Sequence, residues 1–235
     1  MLLSFVIPTH QSAPWLPHAV DSVLAQTYKD VEIVIIDDAS TDSTPDYLVW
    51  LKKQGHGDKI KIISNEINLG RSASRNIGNK AASGDVLLVL DADDMAVPRR
   101  AEVTATRFKN GSVFVHGACH KMDVVKRDLG LMETDVFNKD DALETLTNRI
   151  VHSTCAYSRE FAEKYPYPES GAAARLGLDD WACFITAALD GVKFDFIPSP
   201  ISAYRDGVGI SSTRDEAEVR KFKQEFLADR LAVPA

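Results

Sequence analysis

The first half of the chain alternates between two hydrophobic periods. Leu3 to Ile7, Val31 to Ile36, Ile60 to Ile63 and Val86 to Leu90 are short, nearly continuous apolar runs rich in Val and Ile. Such runs mark strands buried on both faces. Between them the apolar residues recur at helical spacing. Trp15 to Gln26 places Leu16, Ala19, Val20, Val23 and Leu24 on one stripe, and a second helix opens at Pro45 with Thr44 as its cap. A third starts near Gly70 and ends before Gly84, a residue type common just past a helix C-terminus. Strand and helix in alternation predict an α/β, Rossmann-like fold, with a mostly parallel central sheet, right-handed crossovers and flanking helices.

Beyond Lys121 the pattern thins. Asn138 to Thr147 reads as a helix, Thr154 to Ser158 as a strand, and GLDDWACFITAALDG as a helix closed by Gly191. Val192 to Ile197 and Ile201 to Arg205 predict two more strands. The segment EVRKFKQEFLADRL brings Phe222, Phe226 and Leu231 near helical spacing, which favours a helix packing its stripe on the domain. No repeat, linker or low-complexity segment interrupts the 235 residues, so they read as one domain. Residues 1–110 read as its first half, and residues 111–235 as a more variable second half with the C-terminal helix.

Composition narrows the class. With 45% apolar and 26% charged residues the chain lies far from disorder, and its net charge of -7 argues against general nucleic-acid binding. Cys119, Cys155 and Cys183 are widely separated, as expected of reduced thiols in a cytoplasmic protein. The string HGACH lacks the ligands and spacing of a zinc or haem motif. MLLSFVIP has no basic region ahead of its apolar residues, and no run reaches the ~20 apolar residues needed to span a bilayer. Peripheral membrane contact through the C-terminal segment stays open.

The polar chemistry follows the strands: PTHQ after the first, DDASTD after the second and DADD after the fourth. In a parallel sheet these ends converge on the edge where ligands bind. Asp37, Asp38, Asp42, Asp91, Asp93 and Asp94 are therefore expected in one strongly negative cleft. Asp91 and Asp93 flank a single residue, so on an extended strand end both side chains point the same way and can reach one ion. Carboxylate oxygens suit Mg2+ or Mn2+, and such a cation attracts a diphosphate as well. Asp94 reads as a turn or capping residue.

SFVIPTH, VEIVIIDDASTD, NLGRSASRNIGNKAASGDVLLVLDADD and LDDW, in this order and spacing, resemble the family 2 glycosyltransferases of the GT-A fold. The resemblance is clear from Leu2 to about Pro98 and patchy afterwards. It implies that Pro8, Thr9, Asp37 and Asp38 hold the base and ribose, most often of uridine, whose imide N–H a carboxylate can accept. His10 stands where the family often has an aromatic residue, and is either a stacking ring or an ordinary surface histidine. Arg75 either bonds a phosphate, braces Asp38 in a salt bridge, or lies solvated on its helix. Asp93 is implied as the first metal ligand, with Asp91 near ribose or metal and Ala92 between them on the nucleotide side.

For the acidic pair that opens a helix in the second half, the resemblance implies Asp180 as the base that deprotonates the acceptor hydroxyl, and Asp179 as a second catalytic candidate or a helix cap. Trp181 either packs on a sugar or belongs to the core. The implied activity is metal-assisted, inverting transfer of one sugar from a nucleotide sugar, a UDP-sugar by expectation, to a hydroxyl acceptor on a glycan, glycolipid or protein. One departure concerns the metal. Many relatives carry a late histidine after a Tyr-Arg pair, whereas YRDGVGIS has Asp206 and Gly207.

Two rivals fit poorly. A receiver domain lacks its phospho-acceptor and lysine strand ends here, and a haloacid-dehalogenase-like phosphatase needs its aspartates after the first strand. A sugar nucleotidyltransferase would open on a Gly-rich basic loop that PTHQSAPW lacks. A catalytically inactive glycosyltransferase-like module, binding a sugar nucleotide or a partner protein, is the alternative left standing.

Overall fold

A computed structural model describes residues 1–147, 149–208 and 215–232. The apolar runs of the first half form the strands β1 (Leu3–Thr9), β2 (Val31–Asp37), β3 (Ile60–Ser64) and β4 (Val86–Val89). They are linked by α1 (Leu16–Leu24), α2 (Thr44–Lys52) and α3 (Arg71–Ala81). These strands are mutually parallel in the order β3-β2-β1-β4, with Leu3 opposite Val31 on one side and Val86 on the other. Thr44 does not cap α2. It is the first helical residue, and its Oγ1 accepts from the Ser12 N–H, tying the loop after β1 to the loop after β2.

The chain after β4 changes the sheet from parallel to mixed. It adds β5 (Met95–Ala96), α4 (Arg100–Lys109), β6 (Phe114–Met122), β7 (Asp128–Leu131), α5 (Lys139–Thr145), β8 (Ala156–Ser158), α6 (Arg159–Lys164), α7 (Gly171–Arg175), α8 (Asp179–Leu189), β9 (Asp195–Arg205) and α9 (Glu216–Leu231). β8 runs antiparallel between β4 and β6, β9 parallel to β6, and β5 antiparallel to β9, while β7 closes a hairpin on β6. The two strands predicted at 192–197 and 201–205 are one bent strand. Pro198 and Pro200 offer no N–H to a ladder, and the register against β6 slips beside Gly117 and Ala118, as bulges allow.

Alternate residues of the central strands feed two cores. Phe5, Ile7, Ile33, Ile35 and Leu88 pack with Leu16, Val20 and Ala101 on one face. Val6, Val34, Ile36, Leu87 and Val89 face Phe114, Tyr157, Phe161 and Phe184 on the other. Burying such side chains contributes roughly 1.5–3 kcal/mol each. α3 lies so close to the sheet that a methyl added at Gly78 would meet Val6 and Ile36. A third cluster forms around Trp181, Leu178 and Ile185 of the α8 region, with Phe222, Phe226 and Leu227 of α9 packed on it. Trp181 is thus a core residue 3% exposed, edge-on to Phe226, and its sugar-packing alternative is overturned. The stripe of α9 is used on the domain, and only Leu231 of the three residues predicted to form it is largely exposed. Among the described residues no helix is long and apolar enough to cross a membrane.

Candidate functional site

The ends of β1, β2 and β4 open into a cleft of about 790 Å3, which also takes in the start of α3, residues 150–152, the α7–α8 junction and Tyr204. Pro8, Thr9, His10, Asp38, Arg75, Asp91, Ala92, Asp93 and Asp180 all line it. Asp37 and Asp42 do not share this role. Asp37 accepts from the Ser40 N–H at 3.2 Å, and Asp42 accepts from the N–H groups of Ala13 and Thr44. The expected crowd of six carboxylates is therefore divided, because short acidic side chains after a strand satisfy the loop's own N–H groups.

Asp38 is buried and accepts from Asn65 Nδ2 at 2.8 Å, Leu69 N at 2.9 Å and Gly70 N at 2.8 Å. These bonds fold the 65–70 loop over the end of β2. The bracing of Asp38 by Arg75 does not occur. His10 is held through both ring nitrogens: its Nδ1 donates to the Asp38 carbonyl at 2.8 Å, which leaves Nε2 to accept from Asn68 Nδ2 at 3.2 Å. A carbonyl only accepts, so the first bond sets the tautomer.

The DADD turn is backed by two buried guanidinium groups. Arg75 is 6% exposed, so the solvated alternative for it is also overturned. Its Nη2 donates to Asp91 Oδ1 at 2.9 Å, its Nη1 to Asp179 Oδ2 at 2.6 Å, and its plane lies 5.5 Å from the Tyr167 ring. Burial alone would raise the Asp91 pKa, but Arg75 beside it holds the group well below the usual carboxylate range. Arg205, fully buried, donates from Nε to the Asp93 carbonyl at 2.8 Å and from Nη1 to the carbonyls of Asp123 and Val124, with Trp15 stacked on it at 4.6 Å.

Asp94 closes the turn, its N–H donating to the Asp91 carbonyl at 3.1 Å, but its side chain does more. It is 1% exposed and accepts from the Arg205 N–H at 2.8 Å, joining the turn to β9, while burial and the neighbouring Asp93 push its pKa well up. Asp93, unlike Asp91, has no salt bridge among the described residues. Burial first, and Asp91 second, raise its pKa to about 6.

Across the cleft, α8 separates its two acids. Asp179 is fully buried and receives Arg75 together with Arg71, whose Nε lies at 3.0 Å; against the cost of burial these cations lower its pKa to about 2. It makes no helix cap, since Leu178 holds that position and Asp179 is already in the first turn. Asp180 lines the cleft, with Oδ1 accepting from the Trp181 N–H at 2.8 Å.

Sequence reasoning missed the segment His152-Ser153-Thr154, a single 3-10 turn that backs the acidic residues. Ser153 Oγ accepts from the Asp91 N–H at 3.2 Å, and His152 lies with Nδ1 3.6 Å from Asp91 Oδ2. The visible signal was a polar triplet set between the apolar pairs Ile150-Val151 and Cys155-Ala156. Asp206, which follows the Tyr204-Arg205 pair, is bonded to Lys121 at 3.0 Å and is about half exposed. Gly209 and the residues after it in YRDGVGIS lie outside the described residues.

The donor set around the turn consists of hard carboxylate oxygens, which fit Mg2+ or Mn2+. Among the described residues no three His, Cys, Asp or Glu side chains form a cage for an ion. Asp93, with Asp91, suits a cation that takes its remaining ligands from a phosphate chain and water.

Residues 4–165 match the model of glycosyl transferase family 2. The chain is similar to an uncharacterized glycosyltransferase of Nostoc sp., 32% identical over 203 residues that cover 82% of this chain and 62% of the relative. A second relative, an uncharacterized glycosyltransferase of Haemophilus influenzae, is 27% identical over 99% of this chain and 90% of its own length. The chain thus spans under two thirds of the Nostoc relative's length. Among solved structures, S. aureus TarS 1-349 in complex with UDP superposes with a TM-score of 0.69 at 19% identity, covering 99% of this chain and 72% of that one. The mannosyltransferase PcManGT from Pyrobaculum calidifontis, in complex with GDP-Man and Mn2+, gives a TM-score of 0.69 at 17% identity over 99% and 65%. With its helix-flanked mixed sheet of the GT-A type and the family match over residues 4–165, the chain belongs to glycosyl transferase family 2.

Proposed function

We infer that the protein transfers one sugar from a UDP-sugar to a hydroxyl acceptor with inversion at the anomeric carbon, with assistance from a divalent cation. The observation that carries this reading is the separation of the α8 acids: Arg71 and Arg75 lock Asp179, and Asp180 is left facing the cleft. A carboxylate so placed takes the acceptor proton as the hydroxyl attacks, while the nucleoside diphosphate departs from the other side.

The remaining roles follow from the lining. Pro8, Thr9, His10 and Asp38 receive the base and ribose, with Asp37 shaping their loop from behind. Asp38 Oδ2 accepts a single bond from Gly70, which leaves a lone pair for an imide N–H. Arg75 holds Asp91 beside Ala92, on the diphosphate side. A cation held by Asp93 with Asp91 supplies charge neutralisation to the leaving diphosphate. TarS is described with UDP and with UDP-GlcNAc, and PcManGT with GDP-Man and Mn2+, which supports a nucleotide-sugar donor and a divalent cation.

We read residues 1–110 as the donor-binding half and residues 111–235 as the half that selects the acceptor, in a cytoplasmic protein. Titration with UDP and transfer assays over a panel of nucleotide sugars, each with Mn2+ and with EDTA, test the reading. Binding of a nucleotide sugar with sugar transfer supports it; no UDP binding under either condition sinks it. Donor binding without transfer to any acceptor would favour the inactive, ligand-binding module.

A further inference from the structure

Outside the residues given roles above, one buried side chain has an unexplained polar atom turned toward the site. The His152 side chain is 8% exposed, lies in the lining of the cleft, and its Nδ1 has no hydrogen-bond partner among the described residues. Its other nitrogen is fully engaged. Nε2 lies 2.9 Å from the Tyr167 hydroxyl, Tyr167 lies 3.0 Å from the Tyr157 hydroxyl, and Tyr157 lies 3.3 Å from Asn79 Oδ1. All four members of this chain are buried.

The chain has one direction. Asn79 Oδ1 can only accept, so the Tyr157 O–H is directed to it. Tyr157 then accepts from the Tyr167 O–H, and Tyr167 accepts from His152 Nε2–H. Burial pushes both phenols well above their ordinary pKa range, so each keeps the proton the relay requires. A neutral imidazole that carries its hydrogen on Nε2 presents a bare lone pair at Nδ1. That lone pair faces Asp91 Oδ2 at 3.6 Å, while Asp91 Oδ1 is taken by Arg75.

Without the relay the ring would place its hydrogen on Nδ1, because an ionised carboxylate is a stronger acceptor than a phenol. Asp91 Oδ2 would then be occupied from inside the protein. We propose that His152 is a positioning residue for Asp91, locked as the Nε2–H tautomer by Tyr167, Tyr157 and Asn79, so that Asp91 Oδ2 stays available to a hydroxyl or phosphate-bound cation of a nucleotide sugar. The ligand class rests on the function inferred above; the tautomer does not.

The two parts are tested separately. In 15N-histidine NMR of the full chain at pH 8 without ligand, His152 is expected to show a protonated Nε2 and an unprotonated Nδ1. Tyr167→Phe is expected to move the hydrogen to Nδ1, and to raise the donor KM about tenfold while kcat stays within about threefold. Tyr157→Phe shifts the same signals by removing the next acceptor, and carries the test if Tyr167→Phe does not fold. A hydrogen on Nδ1 of the wild-type ring overturns the proposal, as does Tyr167→Phe with unchanged tautomer and unchanged donor KM. If the wild type binds neither UDP-GlcNAc nor GDP-mannose, with Mn2+ or with EDTA, the functional reading fails at that point. The NMR result then decides the tautomer lock alone.

Discussion

Arg75 donates to Asp179 at 2.6 Å and to Asp91 at 2.9 Å, so one buried guanidinium joins the first turn of α8 to the turn after β4. The two acids are far apart in sequence; without it Asp179 would keep only Arg71, and Asp91 would lose its guanidinium partner. Asp179 gains a second cation from Arg71, whereas Asp91 has no other Arg or Lys partner among the described residues. The geometry is a planar fork with one nitrogen per carboxylate, which an ammonium group does not reproduce.

Replacement of Arg75 is therefore expected to cost more than an exposed ion pair would. Arg75→Gln should lower unfolding free energy by about 3–5 kcal/mol, the range for breaking a buried pair by removing one partner. Arg75→Lys should recover less than half of that loss. Urea denaturation at pH 7.5 measures both, and a Lys variant as stable as the wild type would contradict the bidentate role.

Asp93 should act in the opposite sense. Its pKa in the folded chain is about 6 against an ordinary value of 3.8, so between these values the folded state keeps a proton that the unfolded state has lost. Stability of the metal-free protein then falls as pH rises through this window and remains lower above it. Asp93→Asn removes the burden, and in EDTA at pH 8 should stabilise the fold by on the order of 1–2 kcal/mol, discounted for partial exposure, with little gain at pH 4. The same variant should lose Mn2+-dependent donor binding. Equal stability changes at pH 4 and pH 8 would contradict the electrostatic origin.

His116 supplies a pH dependence away from the cleft. It is fully buried on β6 beside Phe196, and burial lowers its pKa from 6.5 to about 4. In that window the unfolded chain binds a proton that the folded chain refuses, so stability is lost as pH falls from 6.5 toward 4, by up to about 3 kcal/mol. His116→Leu should flatten this slope while matching or exceeding wild-type stability at pH 7, because neither ring nitrogen has a partner among the described residues. Thermal melts across pH 4–7 read the difference; an unchanged slope would assign the acid loss elsewhere.

How much was legible follows from where each residue takes its partners. β1, β2, β3 and β4 were visible because strands buried on both faces read as continuous apolar runs, and their polar ends marked the cleft. β6 was not, since FVHGACHKM mixes buried polar residues with apolar ones. The prolines split β9 in the sequence but only bend it in the sheet. Asp38 and Asp93 lie on the expected edge, but none of the alternatives for Arg75 named the aspartates it binds. Its partners Asp91 and Asp179 lie on separate elements, the turn after β4 and the start of α8, and nothing in local spacing links α3 to either. Asp94 looked like a turn residue only, because its side chain's partner, the Arg205 N–H, belongs to a strand 111 residues away.

Asp180 bears the central claim, and its amide variant tests it most directly. Asp180→Asn keeps the size of the side chain and the acceptor oxygen that meets the Trp181 N–H. Isothermal titration of the donor together with single-turnover transfer should show affinity within about twofold of wild type and a transfer rate lower by about a thousandfold, the scale set by removal of a catalytic base. Transfer that persists within about tenfold of wild type, or donor binding lost together with transfer, would remove Asp180 from the role of base.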